Sequence, residues 1–188
     1  IMGFYRGPNI VTDGLVYAID AGSERSYPGS GTAVTAITGV GDGTLTNGTG
    51  FDSANGGSWT FDGADDYIDF GSNFLVPGIS QYDTITNFTI DVWVNWDSFA
   101  VTGAHDEIIS WWRSGGSAYS DGFLGTTKIG GGTAANPVIR FGDGWGNTGA
   151  AFTSATDTDK WFNIVAIKTS NNAYVYINGV LEATKGSA

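Results

Sequence analysis

"KWFNIVAIKTSNNAYVYINGVLEAT" (160–184) contains a long apolar run, a polar turn and a second apolar run broken by Asn178-Gly179. The first run, 160–169, is nearly all apolar and reads as a central strand covered on both faces. In the second, 173–184, Asn-Gly sits between two β runs. That dipeptide is the strongest short hairpin signal, because a type I′ turn needs positive φ at both central positions.

The same period-two logic extends upstream. "NFTIDVWVNWD" (87–97) places Phe88, Ile90, Val92, Val94 and Trp96 on one face and Thr89, Asp91, Trp93 and Asn95 on the other. The first set is expected to be core, with Trp161 joining Trp96 there. "DEIISWWR" (106–113) and "PVIRFGD" (137–143) read as further strands. "SWTFDG" (58–63) and "DYIDFG" (66–71) read as two strands around a tight turn, and "GLVYAIDAG" (14–22) as a short strand. The long connection 23–50 is rich in Gly, Ser and Thr and is expected to pack down as an irregular flap. No segment of a dozen residues keeps a helical period, and no internal repeat is visible.

Composition agrees. The chain has 188 residues, thirty glycines and 14% charged residues. Aromatic and β-branched residues suit half-buried pleated surfaces. A net charge of −11 argues against nucleic acid and against anionic membrane surfaces. There is no cysteine, which removes disulfides and thiolate metal sites. No apolar run approaches the ~20 residues of a membrane span. These features together predict an all-β chain, a sandwich or jelly roll of antiparallel sheets.

The order of segments resembles the laminin-G-like, concanavalin-A-like jelly-roll domains. "WTFDGADDYIDFG" (59–71), "FTIDVWVNWD" (88–97), "EIISWW" (107–112) and the 161–184 segment are similar to that family's motifs, in the family's order. The resemblance implies a β-sandwich of two antiparallel sheets over 14–188, preceded by an N-terminal arm, 1–13. Two departures stand out: Trp161 is followed by Phe162-Asn163 where the family commonly has His after Trp, and the sequence stops at Ala188 where family members usually continue with two or three more strands, so a longer chain or another chain or segment is expected to supply them. "GPNIVTDGLVYAIDAGSERSYPGSG" (7–31) resembles the opening of jelly-roll domains in virion structural proteins of tailed bacteriophages, notably those of cyanobacteria. That resemblance implies a virion setting on capsid or tail, with other virion proteins, copies of the chain itself or host-surface glycans as partners.

Three sites are candidates. Asp62, Asp65 and Asp66 read either as a polar turn or as part of a calcium site, and the turn is favoured, since calcium takes six to eight oxygens. "AHDEIISW" (104–111) resembles the acidic segment of pentraxins, relatives that bind ligands through calcium; Asp106 and Glu107 are the nominal match. Finally, Trp145 in the Gly-rich "FGDGWGNTG" (141–149), flanked by Asp143 and Asn147, has the chemistry of a sugar site, an apolar face ringed by hydrogen-bonding groups. Of adjacent Trp111 and Trp112, one is expected to face out, and Trp112 joins the ligand candidates; Trp93 stands opposite its strand's core face, under a second layer or in solvent.

Catalysis is not expected. Sugar-cleaving relatives carry Glu-x-Asp-x-x-Glu on one strand, whereas Glu24, Glu107 and Glu182 are scattered. Asp91 and Asn95 share an outer face at i and i+4, but one is an amide. The expected role is a virion structural or adhesion module that binds carbohydrate; the alternative is an architectural decoration protein with no ligand, and the third reading a glycoside-hydrolase relative.

Overall fold

A computed structural model describes residues 13–71, 87–98, 105–111, 122–127, 138–143, 148–151, 158–170 and 172–186. In the four strands between 105 and 151 the side chains described are those of 107–110 and Leu124. Contacts divide the chain into two units, Ile1–Thr84 and Ile85–Ala188. The described residues hold strands throughout, with one 3-10 turn at Ala54–Gly56 as the sole helical element among them. All pairings are antiparallel.

In the first unit, β1 (Ala33–Val34), β2 (Gly43–Thr46) and β5 (Tyr67–Asp69) form a sheet in the order β1-β2-β5. β3 (Gly50–Asp52) and β4 (Ser58–Thr60) form a separate two-stranded sheet. Tyr27, Val34 and Leu45 are buried together, with Ile19, Phe51, Trp59 and Ile68 packed against them. Tyr27 is wedged between aromatics, 5.1 Å from Phe51 and 5.9 Å from Trp59 by ring centroids. Its hydroxyl donates to the Gly31 carbonyl at 2.9 Å, so the phenol is buried without losing its hydrogen bond.

Three sequence expectations change here. The stretch 14–22 enters no ladder; its Ala18 carbonyl accepts a bond from the Ile37 amide, and Asp20 turns the chain by capping the Gly22 amide at 2.9 Å. The 23–50 connection does pack down, but it also supplies β1 and β2 and buries Val34 and Leu45. Most consequential, β4 and β5 do not form a hairpin. β4 pairs with β3 (Phe51↔Trp59) and β5 with β2 (Leu45↔Ile68), so the acids between them join two sheets.

The second unit has two four-stranded sheets, in the orders β13-β12-β11-β6 and β10-β9-β8-β7. The first comprises β6 (Phe88–Asn95), β11 (Trp161–Lys168), β12 (Asn172–Ile177) and β13 (Val180–Gly186). The second comprises β7 (His105–Trp111), β8 (Gly122–Thr127), β9 (Val138–Asp143) and β10 (Thr148–Ala151). One core joins them: Phe162, Ile164, Ala166 and Val175 from one sheet and Trp96 just beyond β6, with Leu124, Ile108 and Ile109 from the other sheet. Two layers sharing a core are compatible with a β-sandwich. Ile164, Val175 and Leu124 are wholly buried, each contributing about 1.5–3 kcal/mol by leaving water.

β6 alternates as its sequence demands, half-buried at Phe88, Ile90, Val92 and Val94 and exposed at the residues between. β11 is central, as expected, with β6 on one side and β12 on the other. Yet it is fully buried on one face only: Phe162, Ile164 and Ala166 are buried, while Asn163, Val165 and Ile167 are partly exposed. Trp161 belongs to this outer set at 38% exposure, which corrects its assignment to the core; Trp96 is buried as expected. The Asn-Gly hairpin forms as read: Asn178 has φ 50°, Gly179 φ 80°, and Ile177 pairs with Val180.

Candidate functional site

The outward face of β6 and β11 is the best-defined candidate. Antiparallel register sets Asn95 opposite Trp161 and Trp93 opposite Asn163, all in the set facing away from the core. Trp93 is 64% exposed, so of its two expected placements it takes solvent. Trp161 sits one outward row along, on the neighbouring strand. Between the two indoles and the Asp91 row, the Asn163 side-chain amide donates to Asp91 Oδ1 at 2.7 Å. The hairpin turn fixes Asn163 from the other side: its backbone N–H donates to Asn178 Oδ1 at 3.0 Å, and its carbonyl accepts the Asn178 amide. With its side chain bonded to Asp91 and its backbone to Asn178, Asn163 is a positioned residue. The result is two flat apolar rings beside a carboxylate and two amides, all accessible to a ligand.

The acidic stretch 61–66 forms a second, differently built feature. Oxygens of Asp62, Asp65 and Asp66 lie within 4.8 Å of one another, the one such grouping among the described residues. Its hydrogen bonds are those of a turn. Asp62 Oδ1 accepts the amides of Ala64 at 2.8 Å and Asp65 at 3.4 Å, and Asp66 Oδ2 accepts the Asp62 amide at 3.0 Å. Asn47 braces the turn by donating its side-chain amide to the Asp65 carbonyl at 2.8 Å. The Ala64 N–H, followed by the Asp65 N–H, holds the Asp62 carboxyl below its usual range. Asp66 Oδ1 is buried with no hydrogen-bond partner. Three carboxylates fall well short of a calcium shell, and two of them already serve the backbone. The turn reading accounts for these contacts, although the turn bridges two sheets and closes no hairpin.

The other sequence candidates fall largely beyond the described side chains. Trp145, Asn147 and Trp112 lie outside the described residues. Asp143 ends β9 and Asp106 lies in β7, with side chains likewise outside the description. Glu107 is exposed on β7, opposite Gly125 and beside a bulge. β9 and β10 are antiparallel neighbours, with Thr148 opposite Phe141.

Sequence reasoning placed Trp93, Asp91 and Asn95 on one outer face but missed that Trp161 and Asn163 complete it. The signal was the strict period of two in β11: once Ile164 and Ala166 face the core, Trp161 and Asn163 must face away. No family model, curated protein or solved structure matches the chain.

Proposed function

We propose that the chain is a non-catalytic binding module that takes carbohydrate on the outward face of β6 and β11. One observation carries this reading. Trp93 and Trp161 are both exposed on a sheet whose opposite side is core, next to the hydrogen-bonded Asp91–Asn163 pair. Neighbouring exposed aromatic groups rimmed by polar ones are the kind of surface that marks ligand sites. Pyranose rings offer C–H faces to indoles and hydroxyls to carboxylate and amide groups.

The finer description of the fold, a concanavalin-A-like jelly roll, belongs to the same proposal. It is supported by the order of the four motifs in the sequence and by two antiparallel layers around one core. The virion setting, with neighbouring virion proteins or other copies as partners, is supported by the resemblance of residues 7–31 to phage structural proteins. The non-catalytic part rests on the scattered glutamates and the amide at position 95.

A glycan array probed with the whole chain and with Trp93→Ala, Trp161→Ala and Trp145→Ala tests it, with and without a calcium chelator. Binding lost in Trp93→Ala, weakened in Trp161→Ala and retained in Trp145→Ala supports this face. Loss in Trp145→Ala alone would move the site to the β9–β10 connection, and loss in chelator would add calcium. A chain that binds no glycan in any condition fits the architectural role instead.

A further inference from the structure

We infer that the ligand of this face is a neutral glycan of at least two rings, and that the face excludes anionic sugars; this rests on the carbohydrate reading above. The first part follows from register. Trp161 stands opposite Asn95 and Trp93 opposite Asn163, so the two indoles are diagonal neighbours on adjacent strands. Diagonal positions on one face are ~7–8 Å apart. Two platforms rooted that far apart on the sheet suit two pyranose rings joined by a glycosidic bond better than one ring, which makes the site read length.

The second part follows from charge. Among the outward residues of β6 and β11, Asp91 alone has an acidic or basic side chain; Lys168 falls in the opposite set, opposite Phe88 and Ala173. At the Trp161 end, Asp97, Asp159 and Lys160 are exposed beside the strand ends. Asp91 makes this face negative, and the neighbouring strand ends add two acids against one base, within a chain that is itself at −11. Chemistry agrees with charge. A carboxylate only accepts hydrogen bonds, so it is complementary to sugar hydroxyls and opposed to uronate, sialate or phosphate groups, which present acceptors alone. Asp91 Oδ1 is already engaged by Asn163 at 2.7 Å, which fixes where the remaining oxygen can receive a hydroxyl hydrogen.

An array of glycans in matched pairs, neutral and uronate- or sialate-bearing, from one ring to four, distinguishes the outcomes. Neutral members of two or more rings are expected to bind at least tenfold more tightly than their acidic counterparts and than single rings. Asp91→Asn is expected to narrow the neutral-to-acidic gap several-fold, and Trp161→Ala to abolish the gain from one ring to two. Far-ultraviolet circular dichroism and the unfolding midpoint confirm that each variant is folded. Acidic glycans binding as well as neutral ones, or single rings binding as well as longer chains, would overturn this inference and leave the carbohydrate reading standing. No glycan bound by the unaltered chain would sink both.

Discussion

Gly22 shows how much a single missing methyl can matter. A Cβ at this position would sit 2.0 Å from the Gly56 carbonyl oxygen, and one at Gly57 would sit 2.8 Å from Gly22 Cα. Backbone meets backbone there, so no side chain can swing aside. Gly22→Ala is expected to destabilise the chain by about 1–3 kcal/mol, the usual cost of overpacking, lowering the urea midpoint with an unchanged slope. A midpoint within error of the unaltered protein would mean that the two loops do not touch in solution. Asp62 gives a prediction of another kind. Backbone N–H groups stabilise its ionised form, so its folded pKa lies below the ordinary 3.8. Such a group contributes stability in full above the unfolded value and loses it as pH falls through the folded one. Asp62→Asn removes the titration and keeps an acceptor. The difference in urea midpoint between the two proteins should therefore be flat above about pH 5 and change only in the acid range. A difference that varied between pH 5 and 8 would show that another group is responsible.

At the scale of the element, β11 separates stability from binding residue by residue. Ile164 is wholly buried, and Ile164→Ala is expected to cost about 2–5 kcal/mol in transfer and cavity terms. Trp93, on the paired strand, is 64% exposed, and Trp93→Ala should fall within about 0.5 kcal/mol of the unaltered chain while removing the ligand. Equal losses of stability in the two variants would place Trp93 under a covering layer. The hairpin beyond β12 makes a milder case. Gly179 has φ +80° with open space around it, so Gly179→Ala carries backbone strain of about 1–2 kcal/mol and no clash. What was legible in the sequence divides along the same line. β6 and the Asn-Gly hairpin could be read because each is specified locally, by alternation and by one turn's φ values. The partners of β4 and β5 could not be, since pairing is non-local and a short polar link permits either a hairpin or a change of sheet. Trp161 was misplaced because an apolar run such as 160–169 hides which of its two faces is buried until a neighbour's register fixes it.

The whole molecule is dominated by its charge, with 19 acids against 8 Lys and Arg and a net charge of −11. Acids cluster even within one turn, at Asp62, Asp65 and Asp66, and recur around the aromatic face at Asp91, Asp97 and Asp159. Self-repulsion of this size favours solubility and opposes compactness. Salt should therefore stabilise the fold. Between about 0.01 M and 0.15 M the screening length falls from about 30 Å to about 8 Å, which weakens repulsion between distant acids more than contact between near partners. The melting temperature is expected to rise over that range, by about 2–4 °C for each kcal/mol of repulsion relieved in a chain of this size. A fall with added salt would mean that ion pairs outweigh repulsion. Binding of a neutral glycan draws on stacking and hydroxyl hydrogen bonds, so its affinity should stay constant over the same range, and the weak binding of acidic glycans should strengthen as the field of Asp91 and its neighbours is screened. Salt thus acts on the acidic ligand class and leaves the neutral one unchanged, while it stabilises the fold in either case. A titration at two ionic strengths, with melting measured in the same buffers, separates the charge of the molecule from the charge of the site.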